Sequence, residues 1–107
     1  MIIPIIVRPE FVFNIPNTFT PNGDGLNEGF RGKGIGIITF DFRIYDRWGR
    51  TVFKTTDQLA EWTGSLNNNG KMMPEDVYVY SVDIVDVFKQ KHHYVGKVVM
   101  LRSVFPN

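Results

Sequence analysis

Apolar and polar residues alternate most cleanly between Ile38 and Tyr45. Ile38, Phe40, Phe42 and Ile44 fall on one side, and Thr39, Asp41, Arg43 and Tyr45 on the other. A period of two predicts a strand with one buried and one wet face. Asp46-Arg-Trp-Gly49 then predicts a turn, with Gly49 free to take positive φ, and Thr51-Val-Phe-Lys-Thr55 a returning antiparallel strand. A second hairpin follows the same logic. From Val77 to Val87, Tyr78, Tyr80, Val82 and Ile84 share a face opposite Ser81 and Asp83; Phe88-Lys-Gln-Lys91 turns the chain, and Tyr94 to Arg102 pairs back. That last strand is apolar on both faces apart from Lys97, which predicts cover on both sides or a central place in its sheet.

Elsewhere the pattern is shorter. Phe11, Phe13 and Ile15 mark one face of a strand that ends at Pro16, and Gly32 to Gly36 reads as a flexible connection. Residues 1–10 read as a linker or an edge strand, since Pro4 and Pro9 exclude a central one. Helical periodicity amounts to one turn at most, over Asp57 to Trp62. Trp62 stands alone in a polar stretch and predicts a plug at the end of the core. Six to seven strands, two tight hairpins and one long crossover predict an all-β fold: an immunoglobulin-like antiparallel β-sandwich of about seven strands, with a small barrel as the alternative. The domain spans 11–102, and 103–107 is a tail.

Composition narrows the function rather than the fold. The 107 residues suit one domain, and 43% hydrophobic with 14% aromatic residues supplies a core. A formal charge of +1 predicts no nucleic-acid partner. The absence of cysteine excludes a disulfide framework and a thiolate zinc site. The apolar Met1–Val7 stretch is too short to span a bilayer and lacks the layout of a signal peptide, so export would require a signal upstream.

One segment has an unusual composition: Thr-Pro-Asn-Gly-Asp-Gly-Leu-Asn-Glu-Gly-Phe, residues Thr20 to Phe30. Counted as a twelve-residue calcium loop from Thr20, it places Asn22 third, Asp24 fifth, Gly25 sixth and Glu28 ninth. The first position lacks its acid, however, and the twelfth is Arg31, a cation where a bidentate carboxylate belongs. The expectation is therefore no metal and no cofactor, with Asn22, Asp24 and Glu28 as weak calcium ligands at best. Two consecutive tight turns, with side chains bonding the loop's own amides, account for the composition.

His92 and His93 point to opposite faces of a strand and cannot jointly chelate an ion; both are expected at the surface beside a turn. Asp83 and Asp86 are likewise on opposite faces, and no nucleophile elbow or phosphate loop is present, so no enzyme and no small-molecule substrate are expected. Arg47, Trp48 and Arg50 cluster at the first hairpin tip. Trp48 either forms a recognition spot there or folds back on the sheet.

Taken together, these blocks resemble a known family. Ile15-Pro-Asn-Thr-Phe-Thr-Pro-Asn-Gly-Asp-Gly-Leu-Asn-Glu28 is similar to the opening motif of the gliding motility-associated C-terminal domain. Ile44-Tyr-Asp-Arg-Trp-Gly49, Trp62-Thr-Gly64, Val77 to Tyr80 and Gly96-Lys-Val-Val-Met-Leu-Arg102 follow in the family's order. The resemblance implies an immunoglobulin-like, non-catalytic type B sorting signal of the type IX secretion system. It implies a place at the end of a parent chain with further domains upstream, recognition by outer-membrane secretion machinery, and delivery through the periplasm to the cell surface or medium. The loop residues Asn22, Gly23, Asp24, Gly25 and Asn27 and the tip residues Arg47 and Trp48 are the expected partner-recognition sites; Trp62, Tyr78 and Tyr80 are assigned to packing. Two departures stand out. Asp76 occupies a position where the family often has glycine, with left-handed backbone expected there, and Ser103–Asn107 extends beyond the family's usual end. The alternatives are an adhesive or carbohydrate-binding module, using Trp48, Trp62 and tyrosines as a sugar platform, and a structural spacer like that of flagellar hook-capping proteins.

Overall fold

A computed structural model describes residues 10–21 and 29–101. Its strands are β1 (Val12–Asn14), β2 (Thr18–Phe19), β3 (Lys33–Ile35), β4 (Ile37–Tyr45), β5 (Thr51–Thr55), β6 (Asp76–Asp86) and β7 (Lys91–Met100). Five form one sheet in the order β2-β7-β6-β4-β5, and β1 pairs antiparallel with β3 in a second. The two sheets pack as a β-sandwich, and both predicted hairpins are present. Among the described residues all strand pairings are antiparallel except β2 against β7, where Thr18 faces Val99 and Phe19 faces Met100. Tyr78, near the start of β6, donates from its hydroxyl to the Pro74 carbonyl at 2.6 Å. This back-bond to the chain four residues upstream resembles the tyrosine corner of immunoglobulin-like sandwiches.

The core follows from the period-two reading. Phe40, Phe42 and Ile44 from β4 meet Val52 and Phe53 from β5, Tyr78, Val82 and Ile84 from β6, and Val98 and Met100 from β7. The inner face is closed by Phe19, Phe30 and Trp62, all within 1% of complete burial. Trp62 lies 4.9 Å from Tyr78, edge to face, and 5.3 Å from Phe19. Its backbone exchanges two hydrogen bonds with Phe30, and its indole N–H donates to the Ser65 carbonyl at 2.7 Å. A buried indole needs such a partner. Trp62 is therefore a plug, and one tied down on three sides.

Four expectations are corrected. Ile38 is 57% exposed, because an irregularity between Ile37 and Thr39 shifts the register and turns Ile37 to the core instead. The glycine-rich stretch expected to be flexible holds strand β3, in which a Cβ on Gly34 would collide with the Val12 carbonyl; here glycine permits close pairing. Of the two readings of β7, cover on both faces fails, because Val95 is 62% exposed; the strand does lie inside its sheet, between β6 and the short β2, which flanks it at Val99 and Met100. Valine is chosen for strands on wet faces as well as dry ones, so an apolar run overstates burial. Nor is Asp76 left-handed: it is the first residue of β6, paired with Met100, and is not among the residues with positive φ.

Two glycines separate backbone strain from packing. Gly49 has φ +82° with open space around a Cβ, whereas Gly64 has φ +94° and a Cβ there would lie 2.9 Å from Met100 Sδ. Gly49→Ala is expected to cost about 1–2 kcal/mol, the left-handed penalty alone. Gly64→Ala adds an overpacking cost and should reach about 2–4 kcal/mol. Urea denaturation of the two variants measures the difference, and equal losses would contradict it.

Candidate recognition surface

The first hairpin tip is built on Asp46, buried to 7% exposure. Its Oδ1 accepts from the backbone N–H groups of Trp48 and Arg50, both at 2.9 Å, and its Oδ2 accepts from Arg50 Nε at 2.8 Å. The Gly49 N–H closes the turn onto the Asp46 carbonyl. Burial alone would raise the pKa of this carboxyl. The bonds from the Arg50 N–H, the Arg50 guanidinium and the Trp48 N–H outweigh that and hold it below the ordinary range.

With the turn fixed from inside, Trp48 projects to 74% exposure rather than folding back. Beside it, Arg47 makes a two-pronged ion pair with Asp76, Nε to Oδ2 at 2.8 Å and Nη2 to Oδ1 at 2.9 Å. Asp76 also accepts from the Val77 N–H. The Arg47 bond is the main cause that lowers the Asp76 pKa, helped by that amide. The residue that departs from the family pattern is thus the partner of the tip arginine.

Asn22, Gly23, Asp24, Gly25, Asn27 and Glu28 lie outside the described residues. Their flanks are in view. Phe19 pairs with Met100, which pairs with Asp76, so the chain leading toward that loop reaches the Arg47 end of the sheet. Arg31, the misplaced cation of the calcium count, donates from Nη1 to the Gln58 carbonyl at 2.9 Å. Among the described residues no group of three or more acidic or histidine side chains is placed to hold a metal ion.

The opposite end repeats the construction. Asp86, 2% exposed, accepts from the N–H groups of Phe88 and Gln90 and from His92 Nε2 at 2.7 Å. Burial works to raise its pKa, and the His92 bond and the two amides bring it below the ordinary range. Lys89 takes the left-handed place, φ 64°, that Gly49 takes in the first turn. His92 is consequently not a surface residue: it is half-buried, stacked on Phe11 at 4.1 Å and 18°. His93 faces outward and bonds Asp83 at 2.6 Å. Both buried aspartates were missed in the sequence. The signal was there, as Asp-Arg-Trp-Gly-Arg and Asp-Val-Phe-Lys-Gln share an acid, an aromatic two places on, and a left-handed residue third.

A sugar platform needs exposed, coplanar rings. Trp62 and Tyr78 are buried, which removes two of its proposed members. What remains is a small sandwich with two carboxylate-capped tips, each carrying one exposed aromatic, Trp48 and Phe88. Its family is shown by direct comparison. A model for the CHU_C type IX secretion signal domain matches residues 13–100, and the chain belongs to that family. No curated protein and no solved structure matches it. The domain is a sorting module of the type IX secretion system, and proteins carrying it are exported to the cell surface or secreted.

The lowered Asp46, Asp76 and Asp86 have a consequence in acid. A carboxyl whose folded pKa is depressed contributes stability above its unfolded value, about 3.9, and that contribution is lost as pH falls through the folded value. The urea midpoint should fall as the pH drops below about 4. Asp86→Asn should lower the midpoint at neutral pH and make the acid decline shallower. An unchanged acid limb in that variant would contradict this assignment.

Proposed function

We propose that the Asp46 end of the domain is the part read by the outer-membrane secretion machinery. The Arg47–Trp48 tip and the loop residues Asn22, Gly23, Asp24, Gly25 and Asn27 make the contact. The observation that carries this is the 74% exposure of Trp48 on a turn whose backbone is bonded from beneath by a buried carboxylate. A large aromatic presented from a backbone that is already fixed spares the cost of ordering the turn and is suited to anchor a protein interface. Arg47 lies alongside, its guanidinium oriented by Asp76. On this reading the domain catalyses nothing and binds no nucleic acid, small-molecule substrate or cofactor. It acts for the upstream domains of its parent chain.

The test is to fuse residues 1–107 behind a Sec signal and a reporter in a host carrying the secretion system. The reporter should reach the surface or medium. Trp48→Ala should lower export severalfold without changing the melting temperature; adding Arg47→Ala should lower export further, with a modest drop in melting temperature from the lost Asp76 pair, and millimolar calcium should leave the temperature of the unaltered domain unchanged. A folded fusion that stays periplasmic contradicts the sorting role; full export by the double variant contradicts the assignment of the tip.

A further inference from the structure

Between the 46–50 turn and the 66–74 segment lies a groove of about 440 Å³, within the range of ligand-sized clefts. Its apolar lining comes from Val52, Leu66, Met72 and Met73, and Arg50 and Lys71 contribute cations. Leu66 and Met72 are 41% and 45% exposed, a cost to a small sandwich unless something covers them.

The wall that exposes them is built, not slack. Asn67 and Asn68 take consecutive left-handed conformations, φ 50° and 57°, which cost energy for residues other than glycine. Asn68 holds this shape with its side chain: Oδ1 accepts from the Thr63 N–H and hydroxyl, and Nδ2 donates to the Glu61 carbonyl at 2.6 Å. Leu66 is fastened by backbone bonds with Lys71 and Gly70. The facing wall is the Asp46 turn. Both sides are therefore rigid before anything binds, which keeps the ordering cost of binding low.

Charge decides what fits. The one acid lining the groove, Asp46, is buried and already committed to Arg50 and two amides. Arg50 uses Nε for that bond, and among the described residues its Nη groups make no hydrogen bond. Lys71 has no ion pair among the described residues. The groove thus offers two cationic donors over a methionine- and leucine-lined floor, and the thioethers adapt to varied apolar side chains. We propose that this groove binds an extended polypeptide segment of the secretion partner in which acidic residues alternate with bulky apolar ones. Carboxylates meet Arg50 and Lys71, and the apolar side chains lie over Leu66, Met72 and Met73. This rests on the reading of the domain as a sorting signal and extends its recognised end from the Trp48 tip to the neighbouring face, the two sharing Asp46, Arg50, Met73 and Pro74.

The methionines supply the readout. Met72 and Met73 line the groove, while Met100 is fully buried in the core and reports on folding. With methyl-labelled residues 1–107, acetyl-Leu-Glu-Phe-Glu-Leu-amide should shift the Met72 and Met73 ε-methyl signals saturably and leave Met100 in place. The lysine counterpart, acetyl-Leu-Lys-Phe-Lys-Leu-amide, should not. Lys71→Glu should weaken binding about fivefold, the size of one surface ion pair, whereas Lys54→Glu, an equal charge change outside the groove, should not. Absence of shifts, or equal binding of the lysine peptide, overturns the proposal. In the export assay, a Lys71→Glu, Met72→Glu variant that is exported as well as the unaltered domain overturns the groove while the sorting role stands. An unaltered domain that fails to export overturns the sorting role, and the peptide titration still decides the groove.

Discussion

The burial of Trp62 is the constraint on which the rest of the structure depends. The crossover from β5 to β6 is twenty residues with almost no regular structure, too long to hold a shape by itself. Trp62 supplies what the backbone does not: it fills the open side of the sheet beneath Phe19 and Tyr78, locks onto Phe30 through paired backbone bonds, and orients Ser65 through its indole N–H. Truncating a tryptophan so placed costs about 3–5 kcal/mol, a large share of a small domain's stability. Its effect also travels. With Ser65 fixed, the Leu66–Asn68 turn and Met72 have a foundation, and Pro74 is in place to accept from Tyr78. The groove and the entry to β6, where Asp76 meets Arg47, are consequences of one buried ring.

The second constraint is electrostatic and occurs twice. Asp46 and Asp86 are each sequestered at the end of a strand, each bonded to two amides of the turn that follows and to one cationic or imidazole partner. A buried carboxylate is tolerable when its oxygens are saturated in this way, and once they are saturated the turn has little freedom left. The two tips then differ in what surrounds them. At the Asp86 end the imidazole is drawn inward and stacks on Phe11, so that turn helps fasten β1 to the main sheet. At the Asp46 end the guanidinium stays in water at 72% exposure, and the neighbouring arginine is aligned by Asp76. One tip serves the fold, and the other presents Trp48.

Much of this was legible in the sequence, because the informative patterns are local. Alternation in Phe40, Phe42, Ile44 and in Tyr78, Tyr80, Val82, Ile84 marked the two hairpins, and a lone tryptophan in polar surroundings marked the plug. What escaped depends on residues distant in the chain. β2 is two residues long and exists only because β7 lies alongside it in parallel. β3 reads as a glycine linker until Val12–Asn14 is laid against it. Ile38 obeys the alternation that a register shift then breaks. Asp76 looked like a substitute for glycine because its partner, Arg47, is twenty-nine positions earlier. Of the proposed recognition surface, the tip residues could be named from the sequence, but the groove could not: Leu66, Lys71 and Met72 acquire meaning only when set opposite Arg50.

The central claim is that the Asp46 end of the sandwich, and not the Asp86 end, faces the secretion machinery. Site-specific photo-crosslinking in exporting cells addresses it directly, because each tip carries one exposed aromatic, Trp48 and Phe88, at 74% and 52% exposure. A photoreactive phenylalanine analogue at either position perturbs the fold little. The account predicts that position 48 cross-links to an outer-membrane component of the machinery and that position 88 does not. Cross-linking from position 88 alone would contradict it.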